Sequence, residues 1–173
     1  MDNEKAKKDN KVLKYYWKTT ILRFVITSLI LFILFYFVVG VHVCHDNSQY
    51  PMIKDGDLVI TYKLDHKLHQ NDAVLFKDSN GKKRFGRVVA FENDKVQVFS
   101  DFIKINDSQL NEITPYSIDM DNVGIDIPYT VPGDTVFILN DYRSNLDDSR
   151  VFGGVNNSDI EGKIIFIMRR RDI

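Results

Sequence analysis

Residues 24–43 read FVITSLILFILFYFVVGVHV, twenty consecutive residues without a charge. As an α-helix they rise about 30 Å, the thickness of a bilayer's hydrocarbon core. A chain of 173 residues with such a segment has one small domain left to build. The stretch is read as a single transmembrane helix. A cleavable secretory signal is the alternative, but its apolar region is shorter, and no small-residue pair of the A-x-A kind precedes a plausible cut here. The flanks supply an orientation. Residues 1–23 hold seven cations (Lys5, Lys7, Lys8, Lys11, Lys14, Lys18, Arg23) against three anions, whereas 44–173 hold 16 cations against 21 anions. The positive-inside rule keeps the basic tail, 1–23, in the cytoplasm and sends 44–173 to the outer side. Tyr15, Tyr16 and Trp17 stand where an inner-face aromatic belt lies.

Residues 44–173 contain no second apolar run of that length, so they form a water-soluble domain tethered at its N-terminus. Their periodicity is two. Runs rich in β-branched and aromatic residues recur at 58–62, 73–76, 85–91, 95–99, 135–139 and 164–168. Turn clusters separate them: DGD at 55–57, DSNG at 78–81, END at 92–94 and VPGD at 131–134. The spacing predicts an all-β domain. The one helical candidate, 144–149, is too short and polar to be more than a turn. A net charge of −1 lacks the basic footprint that phosphate neutralisation needs, so nucleic acid is not an expected partner. Cys44 is the only cysteine, which excludes an intrachain disulfide and a cysteine-built zinc site. The fold rests on packing.

Several possible sites fail on spacing. His42, Cys44, His45 and Asp46 cluster near the end of the apolar run, and Asp65, His66 and His69 form a second group; neither has metal-ligand spacing. Asp119, Asp121 and Gly124 imitate the opening of a calcium loop, but Val123 sits at a ligand position and Thr130 at the place of the bidentate glutamate. No metal is expected.

Four segments carry the chemistry, in a fixed order behind the apolar run. They are SQYPMIKDGDLVI from Ser48, NDAVLF from Asn71, GRVVAFEND from Gly86, and VPGDTVFILNDYRSNLDDSRVFGGV from Val131, with IEGK closing at 160–163. Their order and spacing resemble the type I signal peptidases, membrane-anchored serine endopeptidases that remove signal peptides from exported proteins. The resemblance covers most of residues 20–168. It implies an all-β, signal-peptidase-like coiled-sheet domain behind one N-terminal transmembrane helix, with no cofactor. Ser48, Pro51, Gly56 and Asp57 meet the pattern SMxPTLxxGD; NDYRSNLDDSRVFG meets GDNRxxSxDSRxxG.

In that family a serine attacks the scissile carbonyl, and a buried lysine kept neutral by apolar surroundings takes its proton. Ser48 occupies the nucleophile's place. The lysine's place, immediately before Arg87, is held by Gly86. Lys82 lies about 13 Å away along an extended strand, beyond the reach of its stem. A one-residue slip puts Arg87 there, whose guanidinium cannot act as a base. The serine that orients the lysine in the family is replaced by Leu146. The frame is retained: Pro51, Gly56 and Asp57 as a turn, and Arg87, Asp141, Arg143, Asp148, Ser149, Arg150 and Gly153 as structural motif residues.

Two functions are open to such a chain. The first is a catalytically inactive accessory or chaperone, most like the degenerate signal-peptidase-like proteins of Gram-positive pilus loci, with membrane lipid, an exported protein or pilin, and a sortase as partners. The second is an active signal peptidase using Ser48 with another base. For the first, the absent lysine stem is expected to leave an open cleft between residues 48–52 and strand 85–89. An extended peptide would add there by main-chain pairing, and Gly86→Trp would fold while blocking it. The topology has its own test. A membrane-impermeant thiol reagent applied to intact cells is expected to reach a cysteine placed at Ser108 and to miss one at Lys7; labelling at position 7 reverses the orientation.

Overall fold

The computed structural model describes residues 2–110, 117–118 and 120–169. It divides into a unit ending at Val38 and a unit beginning at Val39. The first unit is one helix, α1 (Asp2–Val38). Its segment Leu13–Val38 is long and apolar enough to cross a membrane, and Phe24, Phe32 and Phe35 along it are exposed, as lipid-facing side chains are. The helix stops five residues before the uncharged run does. Residues Val39–Val43 form a strand, β1, not the last turn of the helix.

The boundary has a local cause. The run VVGVHV alternates β-branched residues with a glycine, a combination that weakens a helix and suits a strand. Its partner is β2 (Leu58–Tyr62), antiparallel, with Val39 opposite Tyr62 and Val43 opposite Leu58. Gly40 is required in this pairing, because a Cβ there would sit 2.4 Å from Thr61 Oγ1 and 2.7 Å from His42 Nε2. The second unit, beginning at Val39, therefore includes this strand.

The remaining elements, in chain order, are β3 (Ala73–Lys77), β4 (Lys83–Ala90), β5 (Lys95–Val98), β6 (Ile103–Ile105), β7 (Ser108–Gln109), β8 (Tyr129–Thr130), β9 (Thr135–Leu139), the single-turn α2 (Ser149–Phe152), β10 (Val155–Asn156) and β11 (Ile160–Met168). A 3-10 turn at Asn157–Asp159 leads into β11. Strands expected at 58–62 and 135–139 have those bounds; β11 begins four residues earlier than expected. The helical candidate at 144–149 is mostly turn, and the helix proper begins at its last residue.

Two sheets result. The larger has the order β1-β2-β11-β3-β4-β9-β10 and the smaller β7-β6-β5-β8. All their pairings are antiparallel. Irregular registers in β4, between Val88 and Ala90, and twice in β11 bend the larger sheet. Alternation along β3, β4 and β9 separates its two faces. One carries Val74, Phe76, Val88, Val136, Ile138 and Val155. On the opposite face Leu75 and Phe85 pack with Cys44, Ile53 and Val59, while Val89, Ala90, Phe137 and Leu139 pack with Val96, Val98, Ile103 and Ile105 of the smaller sheet.

The strand assignment of residues 39–43 is open to measurement. Gly40→Leu is expected to destabilise the domain by about 1–3 kcal/mol through overpacking against Thr61, seen as a lowered denaturation midpoint in detergent. A helical continuation of α1 predicts no loss.

Candidate functional site

The loop after β1 turns back on itself before β2. Cys44 N–H donates to Asp57 O and Gly56 N–H to Cys44 O, both at 2.9 Å. Asp57, 2% exposed, closes the turn by accepting from Lys54 N–H at 3.0 Å. This turn, with Pro51 and Gly56 in it, presents Ser48. Ser48 is nearly buried, at 8% exposure. Its hydroxyl donates to Asp46 Oδ1 at 2.6 Å, and its backbone N–H donates to the same oxygen at 2.9 Å. Burial pushes the Cys44 thiol above its ordinary range, and its Sγ donates to Asp46 O at 3.1 Å.

Hydrogen bonds join this loop to the segment after β9, some ninety residues away in sequence. Gln49 Nε2 donates to Asn140 Oδ1 at 2.8 Å, across 91 positions of sequence. Tyr142 N–H donates to Ser48 O at 3.0 Å. Behind Asn140 stands a buried ionic core. Arg150 is fully buried, and its guanidinium donates to Asp148 Oδ1 at 2.9 Å, Asp148 Oδ2 at 2.6 Å, Arg143 O at 2.6 Å and Asn145 O at 2.7 Å. Asp148 also accepts from Asn140 N–H at 2.8 Å and caps α2 by accepting from Arg150 N–H. Ser149 Oγ accepts from Ile138 N–H at 3.0 Å, and Arg143 Nη1 donates to Asn140 O at 2.5 Å. Gly153 ends α2 by donating to Ser149 O. The structure thus assembles Asp148, Ser149, Arg150 and Gly153 into one brace.

Arg87 closes the other side. Its guanidinium grips the two oxygens of Asp141 at 2.7 Å each, donates to Asn71 O at 2.8 Å and approaches Met52 Sδ at 3.0 Å. Arg87 and Phe85 share the face of β4 on which the Ser48 loop rests through Ile53 and Met52. A side chain at Gly86 leaves from the other face. There a Cβ would lie 2.2 Å from Ile138 Cγ2 and 3.1 Å from Phe76 Cε1. The expected open cleft at Gly86 is therefore absent: Ile138 fills the space where a stem would begin. Gly86→Trp has no room, so its use as a folded blocking variant fails. Leu146 packs against the cluster containing Val89 and Leu139, whereas Gly86 faces Ile138 and Phe76. The two positions that the resemblance pairs, 86 and 146, face different clusters.

Strand addition along 85–89 is also restricted. Lys83–Arg87 pair with β3, and Arg87–Ala90 pair with β9. Among the described residues, an added strand finds an edge only on the β9 side of residues 83–86, where β9's register has ended. Near the start of β4, Arg84 forms a further ionic group: it donates to Asp78 Oδ2 at 2.6 Å and pairs with Asp147. Burial works to raise the Asp78 carboxyl, but the bonds from Arg84, Lys82 and Asn80 hold it below its usual range.

An open depression of about 480 Å³ beside Ser48 is lined by Asn47, Tyr50, Lys54 and Tyr142, with the Lys54 amine 5.3 Å from the centre of the Tyr50 ring. Residues missed from sequence include Asp46 as partner of Ser48, the Gln49–Asn140 bond and Ile138 in the space at position 86. The D-x-S spacing, in which a carboxylate caps its own turn two residues on, was the available signal for the first. The others depend on register between distant segments. Asp119, from the rejected calcium-loop reading, lies outside the described residues.

A family model described as signal peptidase, peptidase S26, matches residues 17–169. A signal peptidase I of Bacillus caldolyticus is 26% identical over 144 residues, covering 75% of this chain and 79% of that protein. Signal peptidase IB of Staphylococcus aureus is 26% identical over 170 residues, covering 84% of this chain and 86% of that protein. The crystal structure of a signal peptidase I from Enterococcus faecalis superposes with a TM-score of 0.47 at 24% identity, over 57% of this chain and 97% of that one.

The packing at position 86 makes a quantitative claim. Gly86→Ala is expected to cost about 1–3 kcal/mol by overpacking, and much less when Ile138 is already alanine. A denaturation double-mutant cycle measures that coupling; additive losses would show that Ile138 does not occupy the space.

Proposed function

The chain belongs to the signal peptidase family, peptidase S26, and from that membership we propose that it is a non-catalytic, membrane-anchored member. In this reading it acts as an accessory or chaperone in surface-protein or pilus assembly. The observation that carries the reading is position 86. By the resemblance, the place of the family's lysine base is held by Gly86, and Ile138 lies 2.2 Å from where a side chain there would start. Losing a general base costs about 10² to 10⁴ in rate, and more where nucleophile and base act as a unit.

The frame around the lost base is intact, which supports a role for the shape of the site without its chemistry. The Ser48 loop remains tied to Asn140 and Tyr142, and the depression lined by Asn47, Tyr50, Lys54 and Tyr142 is available to an exported polypeptide or pilin. A sortase is a further partner in the pilus version of this reading. With α1 as the anchor, the positive-inside rule that keeps the basic tail in the cytoplasm supports an extracytoplasmic domain, where such partners emerge.

One observation favours the second reading, an active signal peptidase. The Ser48 hydroxyl already donates to a carboxylate, Asp46 Oδ1, at 2.6 Å, a geometry within reach for proton transfer. Asp46 is solvent-exposed, however, and the same oxygen is engaged by the Ser48 N–H. The full chain in detergent, incubated with a signal-peptide substrate, distinguishes the two. Cleavage is expected to be indistinguishable from that seen with Ser48→Ala. Specific cleavage after a small residue, abolished by Ser48→Ala, would overturn the non-catalytic reading.

A further inference from the structure

Acyl transfer at a serine needs two things from the serine residue itself: a free hydroxyl to attack, and commonly its own backbone N–H to stabilise the oxyanion that forms. In this chain both are directed at one atom. Asp46 Oδ1 accepts the Ser48 hydroxyl at 2.6 Å and the Ser48 N–H at 2.9 Å. We propose that Asp46 is a built-in plug of the nucleophile position, its carboxylate lying where the oxyanion of a substrate would have to form. The proposal rests on the non-catalytic reading and adds a second, independent block to it.

The electrostatics support a plug over a base. Negative charge develops on the substrate oxygen in the transition state, and a carboxylate at hydrogen-bond distance from the same N–H repels it. If Asp46 instead took the hydroxyl proton, the N–H would still be aimed at the aspartate and not at the substrate. A neighbouring candidate donor is also committed, since Tyr142 N–H donates to Ser48 O at 3.0 Å. The tether is short: Asp46 lies two residues before Ser48, and its backbone carbonyl accepts from the buried Cys44 Sγ. Gly86 and Ile138 play no part in this contact, so restoring a lysine at position 86 would leave the plug in place.

A peptide boronic acid tests the plug without needing a base of the family kind. The Ser48 oxygen donates a lone pair to trigonal boron, a B–O bond forms, the hydroxyl proton passes to solvent, and the resulting tetrahedral boronate places an anionic oxygen at the N–H. Boron NMR on the full chain in detergent tracks that conversion. The wild type is expected to give no tetrahedral signal. Asp46→Ala is expected to bind at least about 10²-fold more tightly, the worth of one oxyanion donor, and the added Ser48→Ala change to abolish the signal. Asp46→Asn, which keeps the turn's acceptor and removes its charge, serves if Asp46→Ala does not fold, and it too is expected to bind more tightly than wild type. Equal binding by wild type and variant, or a folded variant that binds no better, overturns the plug alone. Signal-peptide cleavage by the wild type that is lost in Asp46→Asn makes Asp46 the base and defeats both readings.

Discussion

The buried pairing of Asp148 with Arg150 is the interaction on which the site depends. Arg150 has no exposed surface, and its N–H groups find acceptors on Asp148, Arg143 and Asn145. The pair need not add net stability, because taking two charges out of water costs about as much as their attraction returns. Its consequence is positional. Asp148 fixes Asn140 through the backbone, Asn140 holds Gln49 by a side-chain bond, and Gln49 is the residue after Ser48. Removing one partner would strand the other charge in the interior and release this chain of contacts with it.

Around that anchor a polar frame is assembled. Arg87 still grips Asp141, and the turn closed by Asp57 still presents Ser48. In the non-catalytic reading, Gly86 stands at the place of the family's base, and a side chain starting there would meet Ile138. A missing base alone, at about 1.4 kcal/mol for each tenfold of rate, corresponds to roughly 3–5 kcal/mol of barrier. The packing at position 86 would add an overpacking cost to any restored side chain. Ile138 belongs to the core cluster of Val74, Phe76 and Val88.

At Val38 and Val39 one apolar run passes from helical to strand hydrogen bonding. Up to Val38 the backbone satisfies its own hydrogen bonds, the condition for a segment in lipid. From Val39 the same kind of residues satisfy them against β2. Apolar composition alone does not mark the change, since both sides lack charge. Pairing with a strand nearly twenty residues further on does.

From residues alone, the apolar run, the charge bias across it, the β character of residues 44–173 and the order of the four motif blocks were all legible, because each is a property of composition or of spacing within a few residues. Strands such as 58–62 and 135–139 were legible for the same reason, having enough length to show alternation. The two- and three-residue strands at 103–105, 108–109, 129–130 and 155–156 were not, for they exist only through their partners. Position 86 reads as the place of the family's lysine by resemblance alone. Whether it left a hole or a packed interior was decided by the register of β4 against β9 and β3, which brings Ile138 and Phe76 to it. The pairing of Ser48 with Asp46 sits between the two: the spacing was present in the sequence, but the turn that directs both polar groups of Ser48 at one oxygen took its shape from the loop's folding back onto Cys44 and Asp57.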